Sequence, residues 1–144
     1  MKIFIFGASG YLGSHLVHCL KHRHEVVALV RSSSSLKRLI SEEVTIIKGI
    51  ENPKNLQKAF RNEMPHLVIN TAALYGRNGE GFHELVEANV SFPSRLYELC
   101  SVHHVPYFLN TGTSLPDNVS AYALTKNCFT NGINCFFTFR GYRK

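Results

Sequence analysis

Gly7, Gly10 and Gly13 fall three apart in Gly7-Ala8-Ser9-Gly10-Tyr11-Leu12-Gly13, between the apolar run Lys2–Phe6 and a stretch of helical periodicity. Three positions without side chains at one strand–helix junction leave the chain few options. Gly7 permits a tight turn, Gly13 lets the helix pack against the strand, and Gly10 lets a pyrophosphate approach the backbone. The helix N-terminus behind them offers unbonded N–H groups and the positive end of its dipole to an anion. Gly7, Ser9, Gly10, Tyr11, Leu12 and Gly13 are therefore the phosphate-binding candidates. The alternative is a glycine-rich turn with no ligand.

The rest of the chain alternates in the same way. Lys2–Phe6 reads as a strand buried on both faces and Val26–Val30 as a second buried strand, and Val44–Ile47, Leu67–Asn70 and Val105–Leu109 read as three more strands. Between them the periodicity predicts helices over Tyr11 to about Lys21, Leu36–Ile40 and Pro53 to about Arg61. A long helix is predicted from about Gly81 to Ser101, kinked by Pro93, and another holding Tyr122 to Lys126. Such alternation implies an α/β fold, a parallel sheet covered by helices. With 144 residues, 44% hydrophobic and 18% charged, the chain supports one domain with a real core.

Neither a membrane span nor a secretory leader is expected, because no apolar run is long enough. Cys19, Cys100, Cys128 and Cys135 lack Cys-x-x-Cys spacing and read as reduced thiols of a cytosolic protein. The net charge of +6 includes Arg140, Arg143 and Lys144, but the other cations are scattered without a recognition stripe. No nucleic-acid partner is expected, and an anionic small molecule fits better. His15, His18 and His22 share a helical spacing, yet no carboxylate or cysteine completes a ligand set. They read as surface histidines, with no metal; His103 and His104 suit a helix end.

An acid about 20 positions past the glycine turn would bind the adenosine ribose hydroxyls of NAD. Val30-Arg31-Ser32-Ser33 has none there, and Asp117 is the sole aspartate of the chain. Arg31 could instead pair with a 2′-phosphate, and Ser32 and Ser33 could donate to it. The expected cofactor is NADP rather than NAD, the alternative reading of the segment being a solvated basic loop.

The Gly-x-x-Gly-x-x-Gly spacing resembles the short-chain dehydrogenase/reductase superfamily. It is most similar to the extended branch of nucleotide-sugar epimerases, dehydratases and reductases, over residues 1 to about 127. The resemblance implies a Rossmann-type doubly wound parallel sheet, incomplete at the C-terminal end, and a nucleotide-sugar substrate. It admits a homodimer and implies no membrane partner. Relatives carry an acid after the third strand; here Gly49-Ile50-Glu51 departs from that pattern.

Tyr122-Ala123-Leu124-Thr125-Lys126 has the family's Tyr-x-x-x-Lys spacing, which puts phenol and ammonium on one helix face. A free tyrosine, with a pKa near 10, is a poor base at neutral pH, and a neighbouring ammonium favours its phenolate. By the same resemblance Thr113 matches the Ser/Thr that binds the substrate carbonyl oxygen, with Ser114 the competing assignment. Asn89 matches the active-site asparagine, or else bonds a helix kink beside Pro93. Ala72 and Ala73, after Thr71, match the small residues beside the cofactor ribose. The short loop between Thr113 and Tyr122, with Asn110-Thr111-Gly112-Thr113-Ser114-Leu115-Pro116, leans toward proteins acting on CDP- or dTDP-deoxyhexoses.

Eighteen residues follow Lys126. Residues 1–127 read as the NAD(P)-binding domain and 128–144 as an atypical tail lacking a sugar-binding region. Asn131-Gly132 is a turn signal there, and Cys135–Phe139 an apolar run of β-propensity. A truncated reading frame is expected, with a natural short form the alternative.

Overall fold

A computed structural model describes residues 1–139, with side chains through Cys135. Arg140, Arg143 and Lys144, the basic cluster of the sequence, lie outside the described residues. The chain divides into two compact units. The first takes Met1–Ala72 and Leu96–Thr111; the second takes Ala73–Arg95 and the chain from Gly112 onward.

The first unit is a five-stranded sheet. Its strands are β1 (Lys2–Phe6), β2 (Glu25–Val30), β3 (Thr45–Lys48), β4 (Leu67–Asn70) and β5 (Tyr107–Asn110). All pairings are parallel and the order is β3-β2-β1-β4-β5. Helix α1 (Tyr11–Leu20) joins β1 to β2, and α2 (Pro53–Glu63) joins β3 to β4. Strand β1 shows why both faces must be covered. Ile3 and Ile5 pack in one buried cluster with Val17 of α1 and Val26, Ala28 and Val30 of β2. The alternate residues, Phe4 and Phe6, meet Phe60 of α2 with ring centroids 5.3 and 6.3 Å apart. Period-two alternation on a strand flanked by helices thus yields the doubly wound arrangement that the sequence predicts. The strand order reverses between β1 and β4, the switch point where ligands of such sheets bind.

Leu36–Ile40 is not helical. The segment forms successive turns, closed by Leu39 N–H donating to Leu36 O at 2.7 Å. A five-residue segment cannot repay helix nucleation, and burying Leu39 (2% exposed) satisfies its one strong demand.

The first helix of the second unit is α3 (Phe82–Val86), followed by a π-helical turn (Glu87–Ser91) that leads into α4 (Phe92–Val102), whose residues from Leu96 onward belong to the first unit. The predicted kink at Pro93 is instead this widened turn. Proline lacks an N–H and its ring crowds the carbonyl four residues back, and a π turn accommodates both. After a 3₁₀ turn (Asp117–Val119), helix α5 runs from Ala121 to Phe139. Ser120 starts it, its Oγ accepting from Ala123 N–H at 3.1 Å. The turn expected at Asn131-Gly132 and the extended run at Cys135–Phe139 are both absorbed into this helix. Ala123, Thr125, Lys126 and Phe129 of α5 are buried, and their packing overrides weak local propensity.

Candidate functional site

The glycine turn closes as its spacing predicts. Gly7 has φ +73°, and a Cβ there would lie 2.7 Å from Ala72 N. A Cβ on Gly13 would lie 2.2 Å from Gly7 O, so α1 can approach the end of β1 only without a side chain. Gly10 N–H donates to Gly7 O at 2.9 Å, and no side chain caps α1. The first-turn amides of Tyr11, Leu12 and Gly13 therefore point out of the helix without intrahelical acceptors. A dinucleotide's pyrophosphate fits this cradle on both counts, close backbone approach and unsatisfied donors.

Beside the turn, Thr71 Oγ1 donates to Phe6 O at 2.7 Å and ties the exit of β4 to that of β1. Buried Asn70 accepts from Ala72 N–H at 3.2 Å and donates to Asn110 Oδ1 at 2.7 Å. This pair fixes the backbone at Ala72, a predicted ribose neighbour. At the exit of β2, Arg31, Ser32 and Ser33 are exposed. Ser32 N–H is held by the carboxylate of Glu51, with both oxygens at 3.2 Å.

The second unit carries the tyrosine–lysine pair on α5. Tyr122 is half-buried and Lys126 is 1% exposed. Among the described residues Lys126 Nζ has no hydrogen-bond partner, and burial pulls its pKa below the ordinary lysine value. A buried ammonium without acceptors is costly, and ribose hydroxyls are acceptors that would satisfy it.

The electrostatics of Tyr122 differ from the expectation. Burial and then Tyr75 push its pKa up, and the cation that opposes them is Arg77, not Lys126. The Tyr75 ring stacks on Tyr122 at 4.8 Å between centroids, with the Arg77 guanidinium 5.4 Å from the Tyr75 centroid. Sequence reasoning missed both residues. They lie in an irregular loop more than forty positions before Tyr122, and no motif marks such a contact.

Asn89 is fully buried in the π turn. Its Nδ2 donates to Leu74 O at 2.8 Å and to Thr125 Oγ1 at 3.0 Å, while its Oδ1 accepts from Leu74 N–H at 3.0 Å. Among the described residues it clamps the loop holding Ala73 and Tyr75 to α5, a tertiary bond rather than the helix-kink bond beside Pro93 that the sequence offered as the alternative. Thr113 is half-buried and its Oγ1 accepts from Leu115 N–H at 3.2 Å, a bond that leaves its own proton unused. Ser114 is exposed. Asn127 Nδ2 donates to Leu115 O at 2.9 Å and to Asp117 Oδ1 at 2.6 Å, so the short Thr113–Tyr122 loop is held against α5. Among the described residues no group of three His, Cys, Asp or Glu could hold a metal, and no helix is long and apolar enough to cross a membrane.

A parallel sheet of this order, opening from its first strand into three spaced glycines, defines the Rossmann-type class of dinucleotide-binding proteins. Within that class the chain belongs to the NAD dependent epimerase/dehydratase family, whose model matches residues 3–131. It is 33% identical to CDP-abequose synthase of Salmonella muenchen over 114 residues, covering 76% of this chain and 36% of that protein. Its fold matches the crystal structure of UDP-glucose 4-epimerase from Thermotoga maritima with UDP-glucose. That match has a TM-score of 0.83 at 20% identity and covers 99% of this chain and 52% of that one. The enzyme WbmG of Bordetella bronchiseptica, in complex with NAD, matches with a TM-score of 0.78 at 22% identity, over 94% and 49%. The chain thus spans about half the length of these solved structures or less of its curated relative.

Proposed function

We propose that the chain is a nicotinamide-dinucleotide oxidoreductase or epimerase acting at C4 of a CDP- or dTDP-linked deoxyhexose, in the cytosol. The observation that carries this reading is the Tyr122–Lys126 pair, four residues apart on α5, with a buried ammonium that finds no partner among the described residues. The glycine turn, Ser9, Tyr11 and Leu12 would hold the pyrophosphate, and Ala72 and Ala73 would adjoin the ribose. The bound nicotinamide would supply hydride exchange with the sugar carbon.

The chain's own residues would manage the proton. Tyr122 would take it from the C4 hydroxyl on oxidation and return it on reduction. Thr113 would donate to the oxygen that develops negative charge, and Lys126 would orient the cofactor ribose. Asn89 would act by positioning, through Leu74 and Thr125. At the exit of β2, Arg31 with Ser32 and Ser33 would favour NADP through a charge-assisted pair with the 2′-phosphate.

Cofactor choice is tested by fluorescence titration with NADPH and NADH. NADPH should bind more tightly by roughly 1.5–3 kcal/mol, the worth of a charged hydrogen-bond pair, and Arg31→Asp should reverse the order. Equal affinities in the wild type would refute the assignment.

Turnover is tested with CDP- and dTDP-4-keto-6-deoxyhexoses. Substrate binding remote from the reacting carbon contributes to the rate, so joining a relative's C-terminal region after Lys126 should raise NADPH oxidation above that of the 144-residue chain. Tyr122→Phe in that chimera should remove it. A second reading, a dinucleotide-binding module without turnover, is favoured by the Tyr75 ring stacked on Tyr122. A chimera as inactive as the short chain, but still binding NADPH, would support it.

A further inference from the structure

The exit of β2 is already an anion site, and the anion in it belongs to the chain. Glu51 stands in the turn between β3 and α2. That turn is laced to β2 by Gly49 N–H donating to Val30 O at 3.0 Å. Gly49 has φ +78°, and a Cβ there would come within 3.3 Å of Ser32 Oγ, so the two loops are closely apposed. From this turn the Glu51 carboxylate reaches across and takes Ser32 N–H with both oxygens at 3.2 Å. The Ser32 hydroxyl, the backbone amides of Glu51 and Ser32, and the Arg31 charge together hold its carboxyl below the usual carboxylate range.

A backbone amide therefore donates to this carboxylate, and the neighbouring Ser32 hydroxyl and Arg31 charge also favour its ionised form. The same three groups would receive a phosphate on the adenosine 2′ position. A carboxylate and a phosphate cannot both accept from one amide, and their like charges repel. Glu51 is exposed and carries three rotatable bonds, so it can swing aside at modest cost.

We infer that Glu51 is an internal competitor for the 2′-phosphate place at the exit of β2, a specificity-determining residue that restrains preference for the 2′-phosphorylated cofactor. The inference rests on the dinucleotide reading above and sharpens it. Arg31 draws the phosphate in, Glu51 holds the loop in its anion-bound form until the phosphate arrives, and the balance between them sets selectivity.

The test is isothermal titration of the full chain with 2′,5′-ADP and with 5′-AMP, in the wild type and in Glu51→Gln and Glu51→Ala. Both variants should bind 2′,5′-ADP roughly three- to tenfold more tightly, as expected for removing one exposed like charge from beside a phosphate dianion. Their affinity for 5′-AMP should stay within about twofold. Glu51→Gln keeps a carbonyl for Ser32 N–H, so agreement between the two variants would assign the effect to charge rather than to loop collapse. Unchanged 2′,5′-ADP affinity in both variants would overturn the inference while leaving the dinucleotide reading intact. Weakened 5′-AMP binding in both would also overturn it, because Glu51 would then be holding the ribose hydroxyls. Failure of either nucleotide to bind any of the three proteins would overturn the dinucleotide reading itself, and this inference with it.

Discussion

Two glycines of the same turn do different work, and substitution separates them. A Cβ at Gly13 would lie 2.2 Å from Gly7 O, an overlap too deep for small shifts of the β1–α1 junction to relieve. Gly13→Ala should therefore destabilise the fold by about 1–3 kcal/mol, as overpacking does. Urea unfolding checks this. At Gly10 the added Cβ would meet Gly7 O at 3.2 Å, a contact that small adjustments relieve. Lys126 shows the opposite balance of stability and function. Burial lowers its pKa, so between that lowered value and the ordinary lysine value near 10.5 the unfolded chain binds more protons than the folded one. Stability must then rise with pH through that window, and below it the buried charge is a constant cost. Lys126→Met should raise the thermal midpoint at pH 7 by an amount that shrinks as the pH approaches 10.5, while weakening NADPH binding. A midpoint lowered by Lys126→Met would show that the ammonium stabilises the fold.

At the scale of elements, the five strands and helices α1 and α2 were legible because the strands read as short apolar runs and the helices as apolar stripes, although the edge strands β3 and β5 bury none of their residues. Pro53 opens α2, and the preceding Asn52 side chain accepts from Lys54 N–H at 2.9 Å. Illegible were the features set by tertiary contact. The π turn depends on buried Asn89 bonding Leu74 and Thr125, partners 15 and 36 residues away. Helix α5 continues through Asn131-Gly132, past Phe129, its last buried residue among those described, although those two residues do not favour helix. In the site, the glycine turn and the Tyr122–Lys126 spacing were visible as motifs, whereas Tyr75, Arg77 and the hold of Glu51 on Ser32 exist only in three dimensions. Gly132 supplies a test of α5. Nothing lies within 4 Å of a Cβ built there, so Gly132→Ala should stabilise the helix by roughly 0.5–1 kcal/mol, read as a higher midpoint in circular dichroism. A lower midpoint would mean that the chain turns at this position.

For the whole molecule, thiol chemistry reports whether the chain in solution has this architecture. Cys19, Cys128 and Cys135 are exposed, while Cys100 of α4 is buried and its thiol pushed up to about 12. A thiolate reagent should modify those three in the native state and Cys100 only after unfolding. The central claim is that the glycine turn holds a nicotinamide dinucleotide, and titration of the intact chain with NADPH, followed by nicotinamide fluorescence, tests it most directly. Saturable binding at one site is expected, weakened at least about tenfold in Gly10→Val, a loss of about 1.4 kcal/mol or more, with circular dichroism unchanged. Absence of saturable binding to the wild type, or undiminished affinity in a folded Gly10→Val, would contradict the account.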